Sequence, residues 1–439
     1  MNRNEGPTMS PQTPECVVPY HVQTTASALR DGFPWFAHHE SVSALWAKKW
    51  RAPCSAGIYP FTDGAVEDFD PVFAELIRLS GDDPAFLHRP DDYAKPFMLM
   101  AKHLASCAEE ALGAGRRDEA KNLYLCAAAV YRIARFPINR SRLGQEAWNK
   151  GKAAYEAGGR LIDPPNLEVA IPFTAADTAA GDLQDTIEAY LRVTSGAAPV
   201  NGWPVLLFIC GLDTYKTDNT RRLDKHLRRG VATISFEIPG TGDCPAAPSD
   251  PASPDRLMSS VLDWVRTNAP QYGFDTGHIL ARGISTGGYY AFRVAHTHAP
   301  ALFAVVAEGS GCHHMFDPAW IAAQNQMEYP FALADALVYK FGYRDADPAA
   351  AIRRYAAEAR KFSLLDAGIL DQPSCRLLAI NGMEDSIFPI EDNFIVAARG
   401  TGKDLIARGN RGHMGNPGAE EIIYDWIDQA LAAGSGERS

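Results

Sequence analysis

The second half of the chain alternates short apolar runs with segments of helical spacing, and this alternation constrains the fold more than any other feature. Continuous apolar runs at 204–210 and 231–237 are typical of strands buried on both faces of a sheet. Further strands are predicted at 167–173, 185–193, 278–283, 302–308, 375–381 and 403–409, with helices at about 220–229, 255–268, 286–298 and 418–433. Strands that alternate with helices predict the α/β fold class, with a mostly parallel, doubly wound sheet.

The first half has a different pattern. Residues 1–15 are polar and rich in proline, and we expect a disordered tail there. Residues 16–162 are predicted to form an N-terminal α-helical domain, because apolar residues recur at three-to-four spacing in 101–112 and 119–134. The α/β core is then expected over 163–439, with a helical lid insertion at about 312–372 that interrupts its rhythm.

Composition excludes several classes of protein. The net charge of −11, from 42 basic and 53 acidic residues, argues against a nucleic-acid partner, which would need a basic surface. No apolar run reaches about 18 residues, so no membrane span is expected, and the polar N-terminus lacks the apolar segment of a secretory signal. The eight cysteines form no CxxC pair, so no metal site is expected. We expect a cytoplasmic protein that acts on a small molecule, and helical flanking domains often mediate a homodimer.

A Gly-x-Ser-x-Gly pattern stands at Gly283-Ile284-Ser285-Thr286-Gly287, between a predicted strand and a predicted helix. This context is typical of the nucleophile elbow, a sharp turn that lifts the serine above the sheet edge. The turn is too tight for side chains at the flanking positions, which explains the glycines. A chance match in a Gly-rich chain is the alternative, and the strand–turn–helix context argues against it.

A serine hydroxyl needs a base, and the base needs an orienting acid, in the chain order Ser, acid, His. Asp385 follows the seventh predicted strand, at the sheet edge where ligands bind, and Glu384 beside it is a competitor. His413 lies in a Gly-flanked loop before the last helix, whereas His296 and His298 come too early in this order. We predict Asp385 as the acid and His413 as the base; the alternative for each is an ordinary polar residue of a surface loop.

An oxyanion hole needs two backbone donors close to Ser285. One is predicted to be the amide of Thr286. The other should come from the loop after the third predicted strand, where Leu212 is the first choice and Asp213 the second. Gly211 allows the backbone of this loop to approach a substrate closely.

Five side chains are weaker candidates for substrate binding. Asp213 lies within the oxyanion loop, and Tyr215 and Lys216 follow it. Glu308 ends the strand after the elbow helix, and His313 opens the predicted lid. The alternative for each is a structural or surface role.

Four sequence segments, taken together with the helical first half, resemble a known family. They are the loop CGLDTYKTDNT, the elbow GISTGG, the acid loop NGMEDSIFP and the base loop GHMGNP. The chain resembles the fungal hydrolases that shorten aromatic polyketides in conidial-pigment and melanin synthesis (the yellowish-green family), and it is similar to the bacterial dihydroxypseudooxynicotine hydrolase. The resemblance covers most of residues 20–435. One departure is Cys210, where the family pattern has a second glycine.

The resemblance implies an α/β-hydrolase fold and hydrolysis of a C–C bond in a 1,3-diketone-like group, without cofactor or metal. Ser285 would attack the side-chain carbonyl, with His413 as base and Asp385 orienting it. In pigment pathways the substrate is a heptaketide naphthopyrone, and the products are tetrahydroxynaphthalene and acetoacetate.

Other functions use the same fold and the same three residues. Esterases, lactonases, cyclases and acyltransferases acting on polyketide products remain open. A peptidase of the prolyl-oligopeptidase type is disfavoured, because the first half is helical and shows no propeller repeat. A hydrolase-fold receptor for a small molecule is a further alternative.

Overall fold

The computed structural model describes residues 35–345 and 347–436. The predicted tail at 1–15 and the first residues of the predicted helical domain therefore lie outside the described residues. The boundaries predicted for the two domains stay predictions. No helix within the described ranges is long and apolar enough to cross a membrane.

From residue 35 to the first strand, the described part of the chain is mainly helical. Helix α1 runs through Val42–Ala44, Leu45–Trp50 and Arg51–Ser55, with π-helical geometry in its middle part. It is followed by α2 (Val66–Ser80), α3 (Pro90–Gly113), α4 (Arg117–Ala134) and α5 (Arg142–Gly159). Helices α4 and α5 pack closely at Gly151, where an added Cβ would lie 2.9 Å from the Cβ of Tyr131.

Within the described residues, the sheet has eight strands in the order β1-β2-β4-β3-β5-β6-β7-β8. Strands β3 to β8 run parallel to one another, and β1 and β2 are antiparallel additions at one edge. This confirms the predicted mostly parallel sheet. The strand bounds are Leu167–Pro172, Thr186–Arg192, Trp203–Ile209, Ala232–Phe236, Phe274–Ile284, Ala304–Glu308, Arg376–Gly382 and Asp404–Arg408.

Both faces of the sheet are covered. In β3, Val205 and Leu207 belong to the core under one layer of helices, and Leu206 and Phe208 to the core under the other. The covering helices are α6 (Thr220–Leu227), α7 (Ser253–Tyr272), α8 (Thr286–Thr297), α12 (Glu391–Ala397) and α13 (Ala419–Gly436). This arrangement explains the continuous apolar runs of the central strands, since alternate side chains are buried on opposite faces.

Two details differ from the sequence prediction. Strand β5 begins at Phe274, before the predicted 278, because Phe274 pairs with Trp203 beyond an irregularity in the β3–β5 ladder. Helix α12 between β7 and β8 was not predicted. Its first turn holds the acidic residues Glu391 and Asp392, which favour a helix N-terminus.

The segment between β6 and β7 contains the helices α9 (Pro318–Ala323), α10 (Leu333–Lys340) and α11 (Pro348–Glu358). We call residues 327–331, just before α10, the roof segment. Its Phe331 ring lies 5.7 Å from Trp50, 5.2 Å from Tyr93 and 5.5 Å from Phe136. The insertion therefore packs against the N-terminal helices.

Candidate active site

Ser285 occupies a strained turn between β5 and α8. Its backbone has φ 52° and ψ −125°, in a region that costs a non-glycine residue about 1–3 kcal/mol. The turn is held by the Ser285 amide, which donates to the carbonyl of Glu308 at the end of β6 over 2.8 Å. Such strain at a single serine is typical of an elbow that exposes a nucleophile.

The glycines around Ser285 are sterically required. A Cβ added to Gly287 would lie 2.3 Å from the carbonyl oxygen of Cys210 and 2.4 Å from that of Ile209. A Cβ added to Gly283 would lie 2.2 Å from the carbonyl oxygen of Gly287. Strand β3 and helix α8 can therefore approach the turn only where no side chain is present.

Ser285, His413 and Asp385 form a hydrogen-bonded line. The Oγ of Ser285 lies 2.9 Å from Nε2 of His413, and Nδ1 of His413 lies 2.9 Å from Oδ2 of Asp385. Both contacts are satisfied when Nδ1 carries the ring proton and donates to Asp385, while Ser285 donates to Nε2. This tautomer leaves Nε2 free to take the serine proton.

The carboxylate of Asp385 is fully buried, and four donors surround it. Its Oδ1 accepts from the amides of Ile387 and Phe388, at 2.7 and 3.2 Å. Its Oδ2 accepts from the side-chain amide of Asn381 at 2.8 Å, as well as from His413. Charged acceptors with this many donors are held in one orientation.

Asn381 also supports the loop that carries the histidine. Its side-chain oxygen accepts from the amide of Met414 at 3.0 Å. It therefore connects the two loops that bring Asp385 and His413 together. Sequence analysis gave Asn381 no role, although it is the first residue of the acid loop.

The pKa of His413 is raised above its ordinary value of 6.5. Burial by itself favours the neutral ring and would lower this pKa, but the negative charge and hydrogen bond of Asp385 outweigh it. The imidazolium that forms when His413 takes a proton is therefore stabilised by its neighbour.

The loop after β3 lies against the elbow. A Cβ added to Gly211 would lie 3.6 Å from the Cβ of Ser285, so the loop backbone passes close to the serine. Among the hydrogen bonds between described residues, none has the amide of Leu212 or Thr286 as donor. These two predicted oxyanion donors are thus available to a ligand. Cys210, the departure from the family pattern, is fully buried against the sheet.

A cavity of about 400 Å³ opens above Ser285 and His413. Its walls carry four aromatic side chains: Trp50 from α1, Tyr59 from the turn after α1, Phe136 from the end of α4, and Tyr329 from the roof segment. The rings of Phe136 and Tyr329 are stacked, with centroids 5.6 Å apart. The helices before β1 (the helical half) and the insertion between β6 and β7 thus form the walls of a cavity. Residues at the ends of the sheet strands form its floor.

Sequence analysis missed these aromatic residues as cavity residues. A weak signal was present for Phe136, which directly precedes Pro137, where the helical pattern of 119–134 stops. Tyr329 had no local signal, since its place depends on contacts with residues far away in the chain.

Two pairs of interacting polar side chains lie in the cavity lining. The carboxylate of Asp213 accepts a hydrogen bond of 2.7 Å from the hydroxyl of Tyr329. Lys49 forms an ion pair of 2.7 Å with Glu328 of the roof segment. Of the five side chains predicted to bind substrate, Asp213 lines the cavity.

The prediction for Tyr215 and Lys216 needs correction, because neither side chain reaches this cavity. The hydroxyl of Tyr215 donates to Oδ1 of Asn139 at 2.7 Å. Lys216 is fully buried and forms an ion pair of 2.6 Å with Asp243. Both side chains lie against Trp148 of α5: the ring of Tyr215 is 5.1 Å from it and Nζ of Lys216 is 5.7 Å from it.

Glu308 and His313 also lie away from the cavity. Glu308 is fully buried and forms an ion pair of 2.7 Å with Arg282, on the face of the sheet covered by α13. His313 is held by Ser363 at 2.7 Å and by Arg360 at 2.9 Å. Glu308 contributes to the site through its backbone carbonyl, which fixes the elbow.

In the part of the chain that the structure describes, no group of three or more His, Cys, Asp or Glu side chains could hold a metal ion.

Two fungal proteins are similar to part of this chain. The alpha/beta hydrolase xenA of Xenoacremonium sinensis is 28% identical over 214 residues, which cover 47% of this chain and 48% of the relative. The alpha/beta hydrolase psoB of Aspergillus fumigatus is 26% identical over 221 residues, which cover 47% of each chain. The chain therefore matches about half the length of these fungal relatives.

Two solved structures share the fold. The 2,6-dihydroxy-pseudo-oxynicotine hydrolase superposes with a TM-score of 0.63 at 20% identity, covering 78% of this chain and 89% of the other. AbyA5 superposes with a TM-score of 0.55 at 23% identity, covering 76% and 88%. Together with the strand order, these likenesses confirm the α/β-hydrolase fold.

A longer match comes from a bacterial esterase. Esterase FrsA of Citrobacter koseri is 24% identical over 314 residues, which cover 70% of each chain. The family model described as "Esterase FrsA-like" matches residues 97–432, which is most of the chain and includes the elbow, the acid loop and the base loop. The chain belongs to the FrsA-like esterase family.

Proposed function

We propose that the chain is a serine hydrolase that cleaves a carbon–carbon bond of a 1,3-diketone-like group in an aromatic polyketide. The observation that carries this proposal is the line from Ser285 through His413 to Asp385, which opens into a cavity with four aromatic walls. A nucleophile, a base and an orienting acid are the parts that acyl transfer requires. Aromatic walls suit a planar, aromatic substrate.

In the proposed mechanism, Oγ of Ser285 attacks the carbonyl carbon in the side chain of the polyketide. The hydroxyl proton of Ser285 passes to Nε2 of His413. The charge on the ring is balanced by Asp385. The oxyanion of the tetrahedral intermediate accepts hydrogen bonds from the amides of Leu212 and Thr286. The intermediate then collapses, the C–C bond breaks, and the departing carbanion takes the proton from His413. Water, deprotonated by His413, releases the acyl group from Ser285.

The C–C bond can break only if the departing carbanion is stabilised. A neighbouring carbonyl or an aromatic ring bearing hydroxyl groups delocalises the negative charge, and aromatic polyketides contain both. The Asp213 carboxylate, which accepts from the Tyr329 hydroxyl, has further lone pairs that can accept from the hydroxyl groups of such a ring.

A heptaketide naphthopyrone is the example that the family resemblance supplies, with tetrahydroxynaphthalene and acetoacetate as products. The cavity volume of about 400 Å³ lies within the range of roughly 300–1,000 Å³ that is usual for small-molecule sites.

The test is incubation of the purified protein with the naphthopyrone, followed by mass spectrometry, with Ser285→Ala as the matched inactive variant. We expect tetrahydroxynaphthalene and acetoacetate with the unsubstituted protein and neither product with Ser285→Ala. The proposal of C–C cleavage is wrong if the protein turns over p-nitrophenyl acetate in a Ser285-dependent way but leaves the naphthopyrone intact.

A second candidate is an esterase or lactonase that acts on a polyketide product. It is favoured by the family itself, whose model carries the name esterase. Ester cleavage uses the same nucleophile and base but releases an alkoxide, so it needs no stabilised carbanion. This function is identified by an alcohol and an acid as products. An acyltransferase or cyclase is identified by a product whose mass does not include an added water molecule. Ligand binding without turnover identifies a receptor.

A further inference from the structure

The loop from Gly211 to Asn219 contains the predicted oxyanion donor Leu212, yet it has little regular structure in its first half. Within this first half, its own backbone supplies a bond of 3.0 Å from the amide of Gly211 to the carbonyl of Thr214. An oxyanion donor must lie about 2.7–3.1 Å from the developing negative charge. The position of the loop therefore depends on contacts from outside it.

Arg135 supplies three such contacts from the helical half of the chain. It follows α4 directly and is buried. Its Nη1 donates to the carbonyl of Asp213 at 3.1 Å, and its Nη2 pairs with Oδ2 of Asp218 at 2.6 Å. The guanidinium carbon lies 3.5 Å from the ring centroid of Tyr215. One side chain thus holds the loop at three successive points.

Arg132, one helical turn earlier, shares the same carboxylate but makes different backbone contacts. Its Nε lies 2.8 Å from Oδ1 of Asp218. Its Nη1 donates to the carbonyls of Pro60 and Thr62, at 2.9 and 2.8 Å, and both of these lie in the helical half. Arg132 therefore anchors Asp218 without touching residues 211–214.

The pair of arginines keeps Asp218 ionised. Burial alone would raise the pKa of this carboxyl, but the two guanidinium groups hold the pKa below its ordinary value. Both arginines lie against the same buried carboxylate, which also accepts from the Tyr215 amide and the Thr217 hydroxyl. Of the two arginines, Arg135 reaches the carbonyl of Asp213.

We propose that Arg135 is a positioning residue for the oxyanion hole. By fixing the carbonyl of Asp213, it fixes the backbone on the C-terminal side of Leu212, and so the direction of the Leu212 amide relative to Ser285. The helical half then contributes to catalysis through the loop backbone, in addition to closing the cavity. This inference rests on the proposed role of Ser285 as the nucleophile.

The test compares Arg135→Met with Arg132→Met. Both variants remove one of the two arginines beside Asp218 and leave its Tyr215 and Thr217 donors in place, so both take one positive charge from the same buried carboxylate. We expect Arg135→Met to lower kcat for p-nitrophenyl acetate by about 10- to 100-fold, somewhat less than the loss from deleting an oxyanion donor, with KM changed by less than about 3-fold. Arg132→Met should keep kcat within about 3-fold of the unsubstituted protein.

A second readout reports on the oxyanion directly. An aryl trifluoromethyl ketone forms a tetrahedral adduct on serine whose oxyanion occupies the same hole. We expect its affinity to fall in Arg135→Met by about the same factor as kcat and to stay nearly constant in Arg132→Met. Urea unfolding of both variants reports any general loss of stability.

Arg135→Lys provides a variant that keeps the charge if Arg135→Met does not fold. A lysine can pair with Asp218 but cannot also hold the Asp213 carbonyl in the same fork, so we expect low kcat at near-normal stability. Equal losses of kcat and ketone affinity in the Arg135 and Arg132 variants overturn the proposal, as does normal ketone affinity in a folded Arg135 variant. Absence of Ser285-dependent turnover in the unsubstituted protein instead overturns the proposed function.

Discussion

The floor and the walls of the cavity are built in different ways. On the floor, Ser285, Asp385 and His413 each lie within a few residues of the end of a strand in one continuous sheet. The walls come from α1, the end of α4 and the roof segment, which meet through contacts such as the stack of Phe136 on Tyr329. The floor is thus fixed by local chain geometry, and the walls by packing between distant parts of the chain.

This difference separates the chemistry from the choice of substrate. A change in the floor alters the proton transfers and the nucleophile, which every acyl substrate needs. A change in the walls alters which molecule fits above Ser285. The predictions below use this separation, beginning with the largest effect.

Replacement of the acid on the floor gives the largest expected loss. Asp385→Asn removes the charge that orients His413 and stabilises its imidazolium, and we expect kcat for p-nitrophenyl acetate to fall by about 10³- to 10⁴-fold. Glu384→Gln is the matched control, because Glu384 is adjacent and His413 does not contact it; its kcat should change by less than about 3-fold. Similar losses in the two variants contradict the assignment of Asp385.

The pH dependence tests the same contact with a smaller effect. Protonated His413 cannot accept the serine proton, so kcat/KM should fall about tenfold per pH unit below the pKa of His413, which is raised above 6.5. Removal of the Asp385 charge takes away the main cause of this raised pKa. In Asp385→Asn the midpoint should therefore move to lower pH, and an NMR titration of the His413 ring measures it where turnover is too slow. A midpoint that stays in place means that another group titrates.

The walls give the smallest and most selective effect. Phe136→Leu should raise KM for 1-naphthyl acetate by about 3- to 10-fold relative to vinyl acetate, because a ring contact of about 0.5–1.5 kcal/mol is lost. Phe97→Leu removes a buried ring that lies edge-on to Phe73 at 5.5 Å and does not line the cavity. This control should lose stability without changing the KM ratio. An equal change of the ratio in both variants argues that Phe136 acts only through stability.

The floor could be predicted from the sequence because its constraints are local. Gly283 and Gly287 mark the elbow since no side chain fits beside Ser285, and this requirement is visible in five consecutive residues. The apolar runs give the strands, and the chain order then places an acid and a histidine after the last two strands. The experiments proposed above test the predicted roles of Ser285, Asp385 and His413.

The walls and the support of the oxyanion loop could not be predicted in the same way. Tyr215 and Lys216 were assigned to substrate binding because they follow the loop in sequence, but the buried partners Asn139 and Asp243 draw them away from the cavity. Arg135 reads as an ordinary charged residue at a helix end. Its contacts with the loop depend on how α4 packs against residues far away in the sequence, and a local sequence pattern does not indicate this packing.

The hydrogen bond between Ser285 and His413 has a consequence for the order in which the chain is synthesised. Its two partners are 128 residues apart, and the serine emerges first. A growing chain can form the elbow from β5 and α8 while its base has not yet been translated. On the proposed mechanism, the nascent protein therefore carries an unactivated hydroxyl group, and hydrolysis begins only after the final strand and its loop have joined the sheet.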